Sequence, residues 1–349
     1  MKKIKLDKIP YLFKNINLPY EVFISNKIAP IEGSIIVVKA LENEGKKDDF
    51  DFANGRLGKV VKGDIFPGIL GSRKAVVEFA GYIPSNVDIG NELYLVCESG
   101  LIGQISGVYE SWGKPMKVKV LGSIVDKDRN QLNLKNYSLP KIKNNKNILI
   151  IAFIGTRMDC GKTTMACKIA LGLKNAGKKI VAIKPTGVAF SQDLYKLKEY
   201  GAFEVLDFVD MGLPSTCNGN HKEIISSTEN LINHAKSFEP DFILMEFGDS
   251  LLGAYHVKDI LNYLPIKQQI KFLILAANDL LGVEGAKTIL KKYQLKIDLV
   301  TGPIANSEIG IDLIKKNFQL EAESNQHKIP KTINMIMNLL KVKNKSYES

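Results

Sequence analysis

Ten consecutive residues, Gly155-Thr156-Arg157-Met158-Asp159-Cys160-Gly161-Lys162-Thr163-Thr164, bring together two glycines, two cations and three hydroxyls. Holding a chain of phosphates takes backbone N–H groups turned inward around the anion, a cation that reaches the β and γ phosphates, and a hydroxyl for Mg²⁺. Here the glycines free the backbone, Lys162 supplies the cation and Thr163 supplies the hydroxyl. A helix starting behind Gly161 adds the positive end of its dipole. The strict spacing GxxxxGK[ST] would put the first glycine at 156, where the chain has Thr156; its glycine falls one residue earlier. The strand-loop-helix context therefore carries the reading, with Gly155, Thr156, Asp159, Cys160, Gly161, Lys162, Thr163 and Thr164 as the nucleotide cradle. Cys160 stands at a helix N-terminus that would favour a thiolate, yet the position asks only for a small side chain.

Phosphoryl transfer is mostly positioning and charge neutralisation, so a metal-holding carboxylate is expected at a neighbouring strand end. The apolar run 242–245 ends in Glu246, with Asp249 in the loop beyond. Thr163, Glu246 and Asp249 form the expected Mg²⁺ set. Asp207 and Asp210 follow another apolar run and read as either metal neighbours or surface acids. Lys184, closing the run 180–183, is expected to meet the transferred phosphate or a substrate carboxylate, with Thr186 donating beside it. Asn278 and Asp279 stand where a nucleotide base is read, with Asn306 a second base contact. A carboxamide there suits adenine, whereas a carboxylate such as Asp279 could instead accept from guanine; the chain has no NKxD motif, which points to ATP. The four histidines lack metal-ligand spacing; His256 is a weaker substrate contact.

These residues need elements to hold them. The run 148–154 is continuously apolar, as a buried parallel strand should be, and Met165, Ile169 and Leu173 recur at helical spacing after the loop. Further strands are predicted at 180–183, 242–245, 272–276 and 297–301, and helices near 223–237, 282–294, 307–318 and 331–341. That alternation predicts an α/β fold, a mostly parallel sheet with helices on both faces and ligands at the carboxyl ends of its strands.

The first part of the chain differs. Short β-branched runs at 35–38, 59–61, 75–79, 93–97 and 118–125, separated by glycines, predict a smaller, mostly β domain of barrel type. Arg73 and Lys74 read as a solvated turn. Residues 126–147 are polar and basic and read as a linker, giving domains at 1–140 and 141–349.

The 349 residues carry 48 basic and 37 acidic side chains, a formal charge of +11. This composition excludes disorder and fibrous architecture. The basic residues are scattered without an aromatic-basic module, so no nucleic-acid partner is expected. No apolar run reaches the ~18 residues of a membrane span, so no membrane partner is expected either. Four unpaired cysteines suit a reducing cytoplasm.

The phosphate loop, with its early glycine, resembles that of dethiobiotin synthetases (GTDTxxGKT) and the wider P-loop class that includes cobyrinic acid amidases and ParA-type ATPases. Lys184-Pro185-Thr186-Gly187 is similar to their KPxxTG segment. Asp207-Phe208-Val209-Asp210 and Glu246-Phe247-Gly248-Asp249 resemble stretches of a less characterised P-loop family linked to acidic amino-acid metabolism. Arg157, five residues before Lys162, stands where ParA-type ATPases carry their signature lysine, which implies a γ-phosphate cation acting within one subunit or across a homodimer. The resemblance implies an ATP- and Mg²⁺-dependent synthetase, ligase or kinase. It would activate a small carboxylate, amine or carbamate, amino-acid-like in size, with Lys162, Lys184 and Arg157 in catalysis. Two alternatives stand beside it: a ParA-like nucleotide-switched interaction protein, and an acyl-coenzyme A-dependent amino-acid N-acyltransferase.

Overall fold

The computed structural model describes residues 2–217 and 219–345. They form two compact units. The first holds the described residues up to Lys141 together with two later segments, Gly187–Gln192 and Phe208–Gly219; the second holds Ile142–Thr186, Asp193–Asp207 and the described residues from Asn220 onward.

The strands of the first unit are β1 (Lys2–Lys5), β2 (Glu21–Ser25), β3 (Ile35–Ala40), β4 (Asp49–Asp51), β5 (Leu57–Lys59), β6 (Ile65–Leu70), β7 (Arg73–Lys74), β8 (Phe79–Tyr82), β9 (Glu92–Cys97), β10 (Leu101–Val108) and β11 (Lys117–Ile124). β3 lies antiparallel between β6 and β11; β6 runs parallel to β10, and β9 joins β10 to β11. These pairings close on themselves, so β3, β6, β10, β9 and β11 make a barrel. Alternate residues fill its interior, Ile36, Val38 and Ala40 from β3, Leu93 and Leu95 from β9, Val118 and Val120 from β11. A Cβ at Gly68 would lie 2.3 Å from Ile102, so only glycine fits that wall.

Three expectations change here. Of the run 75–79 only Phe79 lies in a strand, as the first residue of β8: β7 ends at Lys74, and Glu78 turns the chain with φ 101°. Arg73 is no solvated turn residue; it is 2% exposed, ion-paired with Glu78 and donating to the Val96 carbonyl. Residues 126–147 are not a free linker throughout, because Gln131 bridges to Val125, Asn133 bridges to Ser34, and Leu134 is buried. The polar side chains that made this stretch look exposed serve its turns: Asp126 accepts from the amides of Asp128 and Asn130.

The second unit is built on β12 (Leu149–Gly155), β13 (Ile180–Thr186), β14 (Glu204–Asp207), β15 (Phe242–Phe247), β16 (Ile270–Ala276) and β17 (Leu299–Thr301). All neighbours are parallel, in the order β14-β13-β15-β12-β16-β17. The helices are α1 (Lys162–Asn175), α2 (Ser191–Glu199, whose first two residues belong to the first unit), α3 (His221–Ser237), α4 (Val257–Asn262), α5 (Leu264–Lys267), α6 (Leu280–Lys292), α7 (Glu308–Phe318) and α8 (Pro330–Lys345). Every residue of β12, β13 and β15 is buried, as strands covered on both faces require. Leu149, Ile151 and Phe153 share one core with Met165, Ile169 and Leu173 of α1 and Ile336 of α8. No described helix is long and apolar enough to cross a membrane.

Candidate phosphate-binding site

β12 sits between β15 and β16, so the loop leaving its carboxyl end emerges in the middle of the sheet edge where ligands of such folds bind. Asp159 (φ 55°) and Gly161 (φ 96°) are left-handed, and alternating handedness turns successive N–H groups toward one concave side. The displaced first glycine has a steric cause. A Cβ at residue 155 would lie 2.5 Å from Cys160 Sγ and 3.0 Å from Lys162 Cδ, so Gly155 is the floor over which the lysine folds. Thr156, one residue on, only donates its N–H to the Ala276 carbonyl (3.0 Å) and touches Gly282.

Lys162 is 7% exposed, and its Nζ donates to the carbonyls of Asp249 (2.7 Å) and Arg157 (3.1 Å). Thr163 Oγ1 donates to Glu246 Oε1 (2.6 Å). Glu246 is 3% exposed and its other oxygen has no partner. Burial, reinforced by the nearby Asp193 charge, pushes its carboxyl above the usual carboxylate range, against the pull of Lys184, Thr163 and Lys162. A buried carboxylate that keeps one oxygen unpaired beside a hydroxyl matches a small hard cation, which takes one or two carboxylates and completes its shell with phosphate oxygens and water. Among the described residues no cluster of three or more His, Cys, Asp or Glu has metal-holding geometry. Mg²⁺ here would rest on Thr163 and Glu246.

Asp249 meets the loop mainly through its backbone. Left-handed at φ 60°, it gives its carbonyl to Lys162, while Leu251 N–H donates to the Gly155 carbonyl (2.9 Å). Burial raises its carboxyl pKa, offset by Lys162 and the Ser250 and Ala254 amides, and Oδ2 has no partner.

Lys184 is not a free cation. It ion-pairs with Asp193 and lies opposite Asp207 in the β13–β14 register. Burial opposes its charge, but Asp193, Glu246 and Asp207 together hold its pKa above the ordinary lysine value. Thr186 is buried as an acceptor, taking the Gly248 N–H (3.0 Å). Asp210 is neither a metal neighbour nor a surface acid; within the first unit it pairs with Lys14 (2.8 Å) and Asn15. Arg157 is exposed, its Nε on the Met158 carbonyl. Thr164 is half-buried in the first turn of α1, and Cys160 is fully buried beneath the loop. Asn278 follows β16 with a buried, unpartnered Oδ1; Asp279 caps α6 through Gly282 N–H (2.7 Å). Asn306 is exposed and its Oδ1 accepts from Ser324, while His256 caps α4 and pairs with Asp259.

Two participants escaped the sequence reading. Asp193 had a usable signal, an acid in the first turn of the amphipathic SQDLYKLKE segment just after Lys184. Asn325 had none: it reaches the Gly161 carbonyl (3.3 Å) from 164 residues away.

No protein-family model matches the chain, and no curated protein does. Solved structures with partial likeness include the signal recognition particle receptor FtsY of Elizabethkingia anophelis (18% identity, 52% of this chain and 59% of that one, TM-score 0.35). They also include the cell division protein FtsY of Thermotoga maritima (17%, 54% and 65%, TM-score 0.37). A third is the signal recognition particle 54 kDa protein of Aeropyrum pernix in complex with GDP (12%, 54% and 43%, TM-score 0.36). The chain thus spans less than two thirds of the length of each of these neighbours.

Proposed function

We propose that this protein binds a nucleoside triphosphate at the 155–164 loop and uses it, with Mg²⁺, to phosphorylate and so activate a small carboxylate, amine or carbamate. The observation that carries the reading is the Thr163–Glu246 contact, with a buried carboxylate oxygen left unpartnered beside it. Bound there, Mg²⁺ would draw charge from the phosphate oxygens. Lys162, released from the Asp249 and Arg157 carbonyls, neutralises charge building on the transferring group, and the loop amides hold the phosphates in line. Lys184, kept cationic by its carboxylates, faces the product side and orients the accepting oxygen. Asn278 Oδ1, buried without a partner, suits the amino group of adenine, which favours ATP.

The test is calorimetry with ATP and GTP, followed by ADP release in the presence of pooled amino and dicarboxylic acids. ATP should bind, and release should need both a substrate and Lys162. ADP release unaffected by Lys162→Ala would sink the proposal.

One observation favours a second reading, a nucleotide-switched interaction protein that dimerises. Leu252, Leu281 and Ile309, on segments following β15, β16 and β17, are 66%, 84% and 74% exposed, and Arg157 is exposed with them. Light scattering that shows an ATP-driven dimer without small-molecule turnover would decide for it.

A further inference from the structure

We propose that Asn325 is a positioning residue of the phosphate loop, whose carboxamide fixes the Gly161 carbonyl and thereby aims the Lys162 N–H at a bound phosphate. The inference rests on the loop being a phosphate site. The carbonyl of residue 161 and the N–H of residue 162 belong to one trans peptide and point in opposite directions. Holding the oxygen from behind therefore sets the direction of the hydrogen in front.

The Gly161 oxygen is held twice, by Met165 N–H (3.1 Å) in the first turn of α1 and by Asn325 Nδ2 (3.3 Å). Both lone pairs are used, so the peptide plane cannot rotate without losing a bond. Each donor into a carbonyl also polarises the peptide and strengthens its N–H as a donor, by about 10–30% per bond. The approach requires glycine: a Cβ at residue 161 would lie 2.2 Å from Asn325 Nδ2. Gly302 packs close against the preceding peptide, since a Cβ there would lie 2.4 Å from the Cys160 carbonyl oxygen.

Asn325 is itself rigidly held. It is 2% exposed, and its Oδ1 accepts from Gln326 Nε2 (3.0 Å), which leaves the donor end of the amide for the loop. The segment before it is tied to β17: Val300 N–H donates to Glu321 O (2.8 Å), Glu323 N–H to Val300 O (3.1 Å) and Thr301 Oγ1 to Glu323 O (3.0 Å). The Glu323 carboxylate then takes the Thr332 N–H (2.8 Å) at the start of α8. A donor on so fixed a frame positions its acceptor accurately.

The test compares the full chain with Asn325→Asp, which turns the donor into an acceptor, and Asn325→Ala, which deletes it. Two quantities are read: amide hydrogen exchange at residues 161–163 without ligand, and affinities for pyrophosphate, ATP and adenosine. Both variants should exchange faster there, with β12 and β16 unchanged, and lose about tenfold in pyrophosphate and ATP affinity, the size one hydrogen bond carries. Adenosine binding should not move, a split that general loosening of the fold would not produce. Unchanged exchange together with unchanged pyrophosphate affinity overturns the proposal. If the unsubstituted chain binds neither pyrophosphate nor ATP, the nucleotide reading fails and the phosphate-aiming role falls with it, even where faster exchange in the variants shows that Asn325 holds the Gly161 peptide. Should Asn325→Asp not fold, Asn325→Ala, which adds no charge, makes the same comparison.

Discussion

Two buried charge clusters, one in each unit, are put to opposite use. In the barrel unit Arg73 and Lys47 face Glu78 and Glu98, two cations against two carboxylates. Burial alone would raise the Glu78 pKa, but Arg73 and Lys47 override it and hold the carboxyl below its ordinary value. In the sheet unit Lys184 faces Asp193, Asp207 and Glu246, Lys162 also acts on Glu246, and the Glu246 carboxyl is nonetheless pushed upward by burial and the Asp193 charge. Balance in the first cluster holds an architecture together. In the second, burial outweighs the cations, and one Glu246 oxygen has no hydrogen-bond partner. Otherwise similar residues thus favour the charged form of a carboxylate in one cluster and its neutral form in the other.

The sharpest way to break this contrast is to neutralise one member of each cluster. Arg73→Met leaves Glu78 and Glu98 with Lys47 alone and should cost about 3–5 kcal/mol in urea unfolding. Lys162→Ala should weaken ATP binding by about 10²–10³-fold in calorimetry while leaving the unfolding midpoint nearly unchanged. Glu246→Gln should do the reverse of Arg73→Met, raising stability by about 1 kcal/mol because an isosteric amide removes a buried charge. The same variant should abolish any Mg²⁺-dependent rise in melting temperature.

Acidity separates the clusters more gently. The Glu78 pKa lies below 4.5, so its contribution to stability is present above the unfolded value and is lost as pH falls through the folded one. The Glu246 pKa lies above 4.5, so its contribution is complete below the unfolded value and is lost as pH rises through the folded one. Unfolding of each Gln variant against the parent across pH should give slopes of opposite sign, and Mg²⁺ binding should strengthen as Glu246 ionises. The smallest effect concerns the thiols. Burial, followed by a neighbouring carboxylate, pushes Cys97 and Cys167 up to about 12, so neither should react with iodoacetamide at neutral pH in the native protein.

The sheet unit was the more legible in the sequence because its signals are local. An unbroken apolar run marks β12, helical spacing marks α1, and Gly155 and Gly161 punctuate the loop between them. The short helix α2 was missed because its polar residues and the lysines Lys196 and Lys198 mask a single buried face built on Leu194 and Leu197. In the barrel unit the runs at 35–38, 93–97 and 118–125 marked β3, β9 and β11 and suggested a barrel, but β6 and β10 went unread, and their parallel pairing joins residues about thirty apart with other strands between. Arg73 and Asp210 were misjudged for one reason: a charge looks solvated until its partners are known, and these include Glu78 and the Val96 carbonyl, 5 and 23 residues from Arg73, and Lys14, 196 residues from Asp210. The loop residues were proposed from their type and spacing. Asn325 was not, because its single contact is a backbone carbonyl, which leaves no pattern in a sequence.

The Lys14–Asp210 pair bears on how the chain is made. The barrel unit includes Gly187–Gln192 and Phe208–Gly219, so it is not complete when its last strand, ending at Ile124, has been synthesised. Lys14 and Asn15 wait for an aspartate made 196 residues after Lys14, which at ribosomal speeds of 5–20 residues per second is a delay of about 10–40 s. Through that interval the nascent barrel lacks two of its segments. β12, β13 and β14 must pass through the ribosome before the first unit can finish at Gly219, so its completion is tied to synthesis of the phosphate loop itself.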